Sequence, residues 1–320
     1  MRVLIVKTSS MGDVIHALPA ISDMARAIPG IQIDWLVEKS FAAIAARHRD
    51  VTSVIPIQWR KWRKSLSKPE TRAALRAWGQ DMRQSRYDLV LDLQGLLKSA
   101  LFACVADGPR AGYDRHSIRE PIASLFYHHK ASVPKNLHAI DRCRRLCAQS
   151  LGYALPSTPP DFGLQAASQG WMPSSGAPFA VLVPCASRPE KLWPQSDWIA
   201  VGQNLKARGW QVAIMWGSPE EQRLAESIAQ AMDGSVPPFL TVTEVADTLA
   251  QATVVVGLDT GMSHIAAAHG RPTVGIYCDH EPGLAGLMGA GPVASLGGKG
   301  RVPALNDVLT AIDKVLARQP

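Results

Sequence analysis

Arg2-Val3-Leu4-Ile5-Val6-Lys7-Thr8-Ser9-Ser10-Met11-Gly12-Asp13-Val14-Ile15-His16 opens the chain. Val3 to Val6 is a short, fully apolar run that reads as a buried strand, Lys7 to Gly12 is a polar loop, and helical periodicity runs from about Asp13 to Ala27. A strand that feeds a helix in this way is the first unit of an α/β fold. The alternation recurs outward from it, with strands expected at Ile31 to Val37, Val51 to Ile57, Asp88 to Leu93, Ala180 to Pro184, Gln211 to Trp216, Thr253 to Gly257 and Thr273 to Tyr277. It predicts parallel sheets covered by helices on both faces.

Between Ala154 and Pro178 the pattern breaks, with Pro156, Pro159, Pro160, Gly163, Gly170, Pro173, Gly176 and Pro178 crowded together before a new strand. A domain boundary is expected there, giving a first domain of residues 1–165 and a second of 166–320. The expected architecture is two doubly wound, Rossmann-like α/β domains whose strand ends face a common cleft, so function is sought in the loops that follow strands. Val302 to Leu316 reads as a last helix, with packing back across the linker as one expectation for it.

The 320 residues are 47% hydrophobic with a mean hydropathy near zero, which excludes a disordered or fibrous chain. No apolar run approaches the roughly 18 residues of a membrane-spanning helix, and the N-terminus reads as a strand rather than a signal sequence. The five cysteines are odd in number and lack a CxxC pair, which argues for reduced thiols in a cytoplasmic protein and against a disulfide framework or a structural zinc site. Cys143 and Cys147, four apart on a helical stretch, read as packing residues.

The net charge of +7 is concentrated. Trp59 to Arg86 carries nine basic residues against two acidic ones, so that stretch alone accounts for the excess. Such a patch implies an anionic partner. Because Trp59 and Trp62 interleave the charges, single-stranded nucleic acid, an anionic membrane surface and a phosphorylated glycolipid all fit, alongside a plain solvated helix face.

Four loops follow strands with groups that do chemistry. In Thr8 to Asp13 a single glycine and no G-x-G-x-x-G weigh against a nicotinamide dinucleotide; Asp13 is either a first-turn carboxylate on the helix dipole or a general base. In Pro184 to Pro194, Ser187, Arg188 and Lys191 are within reach of an anion, and Pro194 suits a helix's first turn. Ser218-Pro219-Glu220-Glu221 fits a capping box, and Glu221 equally suits ribose hydroxyls. Gly257-Leu258-Asp259-Thr260-Gly261-Met262-Ser263-His264 places unpaired N–H groups at a helix start, with Gly261 allowing close approach and His264 one turn in, as a diphosphate site requires; Asp259 and Thr260 as simple caps are the alternative. No D-x-D, H-E-x-x-H or G-x-x-x-x-G-K-[ST] occurs and His128-His129 lacks a third ligand, so neither a metal nor a cofactor is expected.

Together these residues resemble the lipopolysaccharide heptosyltransferases of glycosyltransferase family 9. The likeness runs through Arg2 to His16, Trp59-Arg60-Lys61-Trp62-Arg63-Lys64, Asp92-Leu93-Gln94-Gly95-Leu96-Leu97-Lys98-Ser99, Arg119-Glu120-Pro121-Ile122-Ala123-Ser124-Leu125-Phe126-Tyr127, Lys191-Leu192-Trp193-Pro194 and Asp259-Thr260-Gly261. It implies two Rossmann-like domains in the GT-B arrangement and inverting, metal-independent transfer of heptose from ADP-heptose to the inner Kdo sugar of Kdo2-lipid A. The first domain then binds the acceptor and the second binds ADP-heptose.

Carried over residue by residue, the resemblance makes Asp13 the base and Lys191 the cation on the departing ADP. Ser187, Lys191, Glu221, Asp259, Thr260, Gly261 and His264 then hold the donor, and Ser10, Arg60, Arg63, Lys64 and Arg119 the acceptor. The chain departs from the family pattern at Ala186-Ser187, where a pair of threonines is expected before the arginine. The implied setting is a monomer, peripheral on the anionic inner leaflet of the cytoplasmic membrane, with no nucleic acid as partner. Trp59 to Lys64 favours action on Kdo over a core heptose; a basic nucleic-acid-binding protein is the rival from another class.

Overall fold

The computed structural model describes residues 1–165, 170–173 and 176–318. The chain divides into two compact units, Met1–Gln165 and Ala166–Pro320; residues 166–169 and 174–175, which include the expected boundary and part of the expected linker, lie outside the described residues. Among the described residues no helix is long and apolar enough to cross a membrane.

The first unit runs β1 (Arg2–Val6), α1 (Met11–Ala27), β2 (Gln32–Glu38), α2 (Ala42–Ala46), β3 (Ser53–Ile57), α3 (Trp59–Trp62), α4 (Pro69–Gln84), β4 (Leu89–Asp92), α5 (Leu97–Ala103), β5 (Arg110–Tyr113), β6 (His129–Ala131) and α6 (Ala139–Leu151). Its six strands are parallel in the order β3-β2-β1-β4-β5-β6. This is the doubly wound order in which the chain reverses direction across the sheet between β1 and β4, and ligands bind beyond the strand ends at such a reversal. Val3 to Val6 are fully buried, as a central strand covered on both faces must be. The register sets Val6 opposite Leu36 on one side and Asp92 on the other, so the loops leaving β1 and β4 emerge side by side. On the flank, α6 pairs its buried Arg144 with Asp23 of α1 at 2.6 Å. Cys143 and Cys147 are buried on α6 with their thiols pushed up by burial, which keeps them protonated packing residues.

The second unit runs β7 (Phe179–Val183), α7 (Gln195–Ala207), β8 (Gln211–Ile214), α8 (Pro219–Met232), α9 (Val242–Gln251), β9 (Val254–Leu258), α10 (Gly261–Ala268), β10 (Thr273–Tyr277), α11 (Pro282–Ala285), β11 (Val293–Gly297) and α12 (Leu305–Ala317). Its parallel order β11-β10-β9-β7-β8 is the other common doubly wound arrangement, with the reversal between β7 and β9. The register sets Val183 beside Gly257. A Cβ on Gly257 would stand 2.3 Å from Ser263 Oγ, so only glycine lets α10 begin this close to the strand.

Val308, Ala311, Ile312 and Val315 of α12 lie in the second unit's core. Pro194 differs from its expected place: it is the N-cap, and α7 begins at Gln195.

Candidate active site

In the first unit, the reversal between β1 and β4 is held by side chains of each loop gripping the other. Gln94, buried after β4, accepts hydrogen bonds from the backbone N–H groups of Thr8 (3.0 Å) and Ser9 (3.2 Å). Lys7, buried after β1, donates to the Leu93 carbonyl at 3.1 Å. Asp92 anchors the second loop from below, accepting from Gln94 N–H, Gly95 N–H, Ser99 Oγ and Tyr127 Oη. Burial pushes its carboxyl up despite those four donors.

Asp13 stands in the first turn of α1 at the end of this scaffold. One of its oxygens accepts from Ser10 N–H (2.8 Å) and Ser10 Oγ (2.9 Å), and the other lies 3.6 Å from Lys7 Nζ. Burial raises its pKa, but the Lys7 charge, both Ser10 hydrogen bonds and the charge of Arg119 together outweigh it, and the carboxyl titrates below its usual range. Capping and an ionised, half-exposed carboxylate are therefore properties of the same group.

Lys7 and Arg119 are the cations whose charges act on Asp13, and a second cationic group lies on α3 and α5. Arg60 is set on α3 by a hydrogen bond from its N–H to Glu38 (3.0 Å) and by its guanidinium lying over the Phe41 ring. Arg63 and Lys64 follow, exposed. Lys98 of α5, which sequence reasoning quoted without giving it a role, donates to Ser9 Oγ at 3.4 Å. Its ammonium is held below its usual pKa by burial and by Arg60 and Arg63, against the opposing charges of Glu38 and Glu120, so these groups share one field. Trp62 is buried in the core and the partly buried Trp59 packs edge-on against Phe102, so Trp62 is withdrawn from the stacking platform that made single-stranded nucleic acid a candidate.

In the second unit the corresponding reversal is bridged by an ion pair. Lys191, in the loop after β7, places Nζ 2.6 Å from the Asp259 carboxylate and 3.0 Å from the Asp259 carbonyl, just beyond β9. His264 Nε2 lies 3.5 Å from the other carboxylate oxygen. Burial raises the Asp259 pKa, yet hydrogen bonds from His264 and Lys191 and their charges bring it far below the usual range. Asp259 is thus no cap. Thr260 occupies the N-cap position of α10 with extended backbone, yet its side chain makes no capping bond and its buried Oγ1 has no hydrogen-bond partner. The first-turn N–H groups of α10 beside Gly261 lack intrahelical acceptors, and Lys191 sits over that end.

The other expected residues make separate contacts. Arg188 is drawn to Asp279 at 2.6 Å, while Ser187 is exposed at the tip. Ser218 Oγ caps α8 by accepting from Glu221 N–H, as expected, but Glu221 Oε2 accepts from Gly217 N–H at 2.8 Å rather than from the cap residue. His128, considered as a metal ligand, directs both ring nitrogens to Arg110. Among the described residues no group of three or more His, Cys, Asp or Glu is placed to hold a metal ion.

Comparison with known proteins gives this geometry a family. The model of glycosyltransferase family 9 (heptosyltransferase) matches residues 75–305. The chain belongs to glycosyltransferase family 9. Lipopolysaccharide heptosyltransferase 1 of Pseudomonas aeruginosa is 44% identical over 295 residues, covering 92% of this chain and 83% of that one. Among solved structures, E. coli heptosyltransferase WaaC with ADP superposes with a TM-score of 0.90 at 38% identity, covering 98% and 99% of the two chains. The same enzyme with ADP-2-deoxy-2-fluoro heptose gives 0.87 at 36%, with the same coverage.

For a family 9 glycosyltransferase, each unit brings a compact subset of the expected residues together. Ser10 and Asp13 are in contact, with Arg119 in electrostatic range; Lys191, Asp259 and His264 form one cluster beside Thr260 and Gly261. Sequence reasoning missed Lys7, Gln94 and Lys98, which are neither glycine-rich nor paired with an obvious partner along the chain. Gln94→Leu strips the Thr8 and Ser9 N–H groups of their buried acceptor and is expected to destabilise the protein by about 1–3 kcal/mol. Gln94→Glu retains an oxygen there and should lose less. Urea unfolding of the three proteins measures both.

Proposed function

We propose that the protein transfers heptose from ADP-heptose to the inner Kdo sugar of Kdo2-lipid A in lipopolysaccharide core biosynthesis, with inversion and without a metal. Relatives named for lipopolysaccharide heptose transfer and the ADP-bearing structures support the donor. The observation that carries the acceptor is the ionised Asp13 in the fields of Lys7 and Arg119, four residues after Ser9, whose hydroxyl meets Lys98 in the shared field of Arg60 and Arg63. A cationic surround of this kind suits a sugar bearing carboxylate and phosphate.

In this reading the Asp13 carboxylate takes the proton of the acceptor hydroxyl, which Ser10 Oγ helps to place. The freed oxygen electrons attack the anomeric carbon as its bond to the diphosphate breaks, through an oxocarbenium-like transition state and with no enzyme nucleophile. Lys191 and the first N–H groups of α10 receive the charge growing on the departing ADP, the task a divalent ion performs elsewhere. Thr260 Oγ1, unpartnered in the free protein, becomes a donor to the same phosphates. Asp259 and His264 set Lys191 in place. Glu221 remains the candidate for the ribose, and the departure at Ala186-Ser187 leaves one hydroxyl, Ser187, at that loop tip.

The test is ADP release from ADP-heptose with and without Kdo2-lipid A lacking its acyl chains. Acceptor-dependent release supports the reading, and release indifferent to the acceptor refutes it. Lys64→Ala is expected to raise the acceptor KM about tenfold to a hundredfold while leaving ADP affinity unchanged, since one charge-assisted contact is worth roughly 1.5–3 kcal/mol. Equal losses in both would remove the assignment of Lys64 to the acceptor.

A further inference from the structure

The segment Arg119 to Tyr127 carried part of the family resemblance, yet only Arg119 finds a use in the transfer reaction. The rest forms a short 3-10 turn, Pro121–Phe126, packed against α5. The turn is rigidly built from below. Ala123 and Ser124 are buried, Ser124 Oγ donates to the Pro121 carbonyl, Glu120 accepts from Leu97 N–H at 2.7 Å, and the Tyr127 hydroxyl donates to Asp92. On this frame the sequence puts apolar side chains outward: Leu125 is 74% exposed, Ile122 55%, and Leu101 on the adjoining α5 48%.

Single exposed leucines are ordinary, but three large ones on two elements that pack together make an apolar edge. Cations predominate in its surroundings. Lys98 lies on the same helix, one turn before Leu101; Lys98 shares its field with Arg60 and Arg63; and Arg115 and Arg119 precede the turn, exposed. The two carboxylates in the field of Lys98 are both engaged, Glu120 by Leu97 N–H and Glu38 by Arg60 N–H. An apolar edge framed by cations is complementary to an anionic lipid leaflet, where basic groups meet the headgroups and the apolar groups reach the acyl boundary.

We propose that Leu101, Ile122 and Leu125 form a wedge that inserts into an anionic bilayer surface and presents the first unit's cationic site to a lipid-borne acceptor. The role rests on the reading of the acceptor as a glycolipid, but the insertion is measurable without any acceptor. The basic stretch alone gives attraction that fades with salt; the wedge adds a component that salt does not screen.

The chain supplies its own reporter. Cys104, at the end of α5 three residues after Leu101, is exposed, whereas the other four cysteines are buried. An environment-sensitive dye on Cys104 of the full-length protein is expected to shift to the blue with vesicles of phosphatidylglycerol and phosphatidylethanolamine, and not with phosphatidylcholine alone. The double variant I122Q/L125Q is expected to lower partitioning into the anionic vesicles at least about tenfold, measured by co-sedimentation at moderate salt. ADP binding and turnover of an acceptor without acyl chains should be unchanged, which also shows that the variant is folded.

Three results overturn the proposal: no partitioning of the wild type, equal partitioning of the double variant, or concentration-dependent self-association that the double variant alone loses, which would make this edge an interface between copies of the chain. Wedge-dependent partitioning by a protein that ignores Kdo acceptors leaves the insertion standing and removes the acceptor reading. Transfer to Kdo without wedge-dependent partitioning does the reverse.

Discussion

Asp13→Asn is expected to lower kcat for heptose transfer about a hundredfold to a thousandfold while leaving ADP affinity within about twofold of the wild type. Loss of a positioned general base typically costs a factor of 10²–10⁴, and the substitution is nearly isosteric. The amide oxygen still accepts from Ser10, which now satisfies the Asp13 carboxylate through both its N–H and its Oγ, so α1 keeps its first-turn contact. What disappears is the negative charge that attracts the acceptor proton and balances Lys7. Steady-state kinetics with the acceptor lacking acyl chains, together with calorimetric ADP binding, measures the two quantities. A rise in acceptor KM with kcat preserved would make Asp13 an orienting group rather than the base.

The pH dependence follows from the same neighbours. The Asp13 pKa is lowered in the folded protein, so its ionised form is already complete well below neutrality. The kcat profile is therefore expected to be flat between about pH 5 and 7 as far as Asp13 is concerned, because its acid limb lies below its ordinary value. For stability the sign is the same. A depressed carboxyl contributes above its unfolded pKa and loses that contribution as the pH falls through the folded value. Asp13→Asn should accordingly be less sensitive to acid than the wild type between pH 5 and pH 3, which urea midpoints at several pH values will show.

Much of the fold was legible because central strands buried on both faces are written as unbroken apolar runs. Val3 to Val6 and Ala180 to Val183 are of this kind and lie in the strands the runs placed. The strands that were not legible are at or near the sheet edges. β5 (Arg-Ala-Gly-Tyr), β6 (His-Lys-Ala) and β11 (Val-Ala-Ser-Leu-Gly) are short and mix polar or glycine residues, since a strand covered on one side needs no apolar pattern. At the candidate site, charge and loop position pointed to Asp13 and Lys191 but not to what each touches. Lys191 and Asp259 are 68 residues apart and Gln94 reaches back 86 residues to Thr8. Such pairs are set by strand order, which the sequence pattern left open. The tryptophans show the converse error: interleaving with arginine suggested a surface role, whereas the helical turn of α3 points Trp62 into the core and Arg60 and Arg63 to solvent.

Lys191→Met is expected to cut kcat by about a hundredfold to a thousandfold, the usual loss when one donor to a developing anion is removed, and also to weaken ADP binding. The ion pair with Asp259 gives the prediction a second arm. In the free protein Lys191 is engaged at 2.6 Å, so an incoming diphosphate must compete with Asp259 or share the ammonium with it. Removing the competing charge in Asp259→Asn should then tighten ADP binding, by about threefold to tenfold if the partly buried pair is worth roughly 0.6–1.4 kcal/mol, near the upper end of measured exposed pairs. Transfer should nevertheless slow, because the lysine loses the carboxylate that fixes its position. Opposite effects of the two variants on ADP affinity, with both slow in turnover, are the signature of a cation handed from a resting partner to the leaving group. If Asp259→Asn instead weakens ADP as much as Lys191→Met does, the carboxylate is part of the donor site in its own right, and the exchange is not how the lysine is delivered.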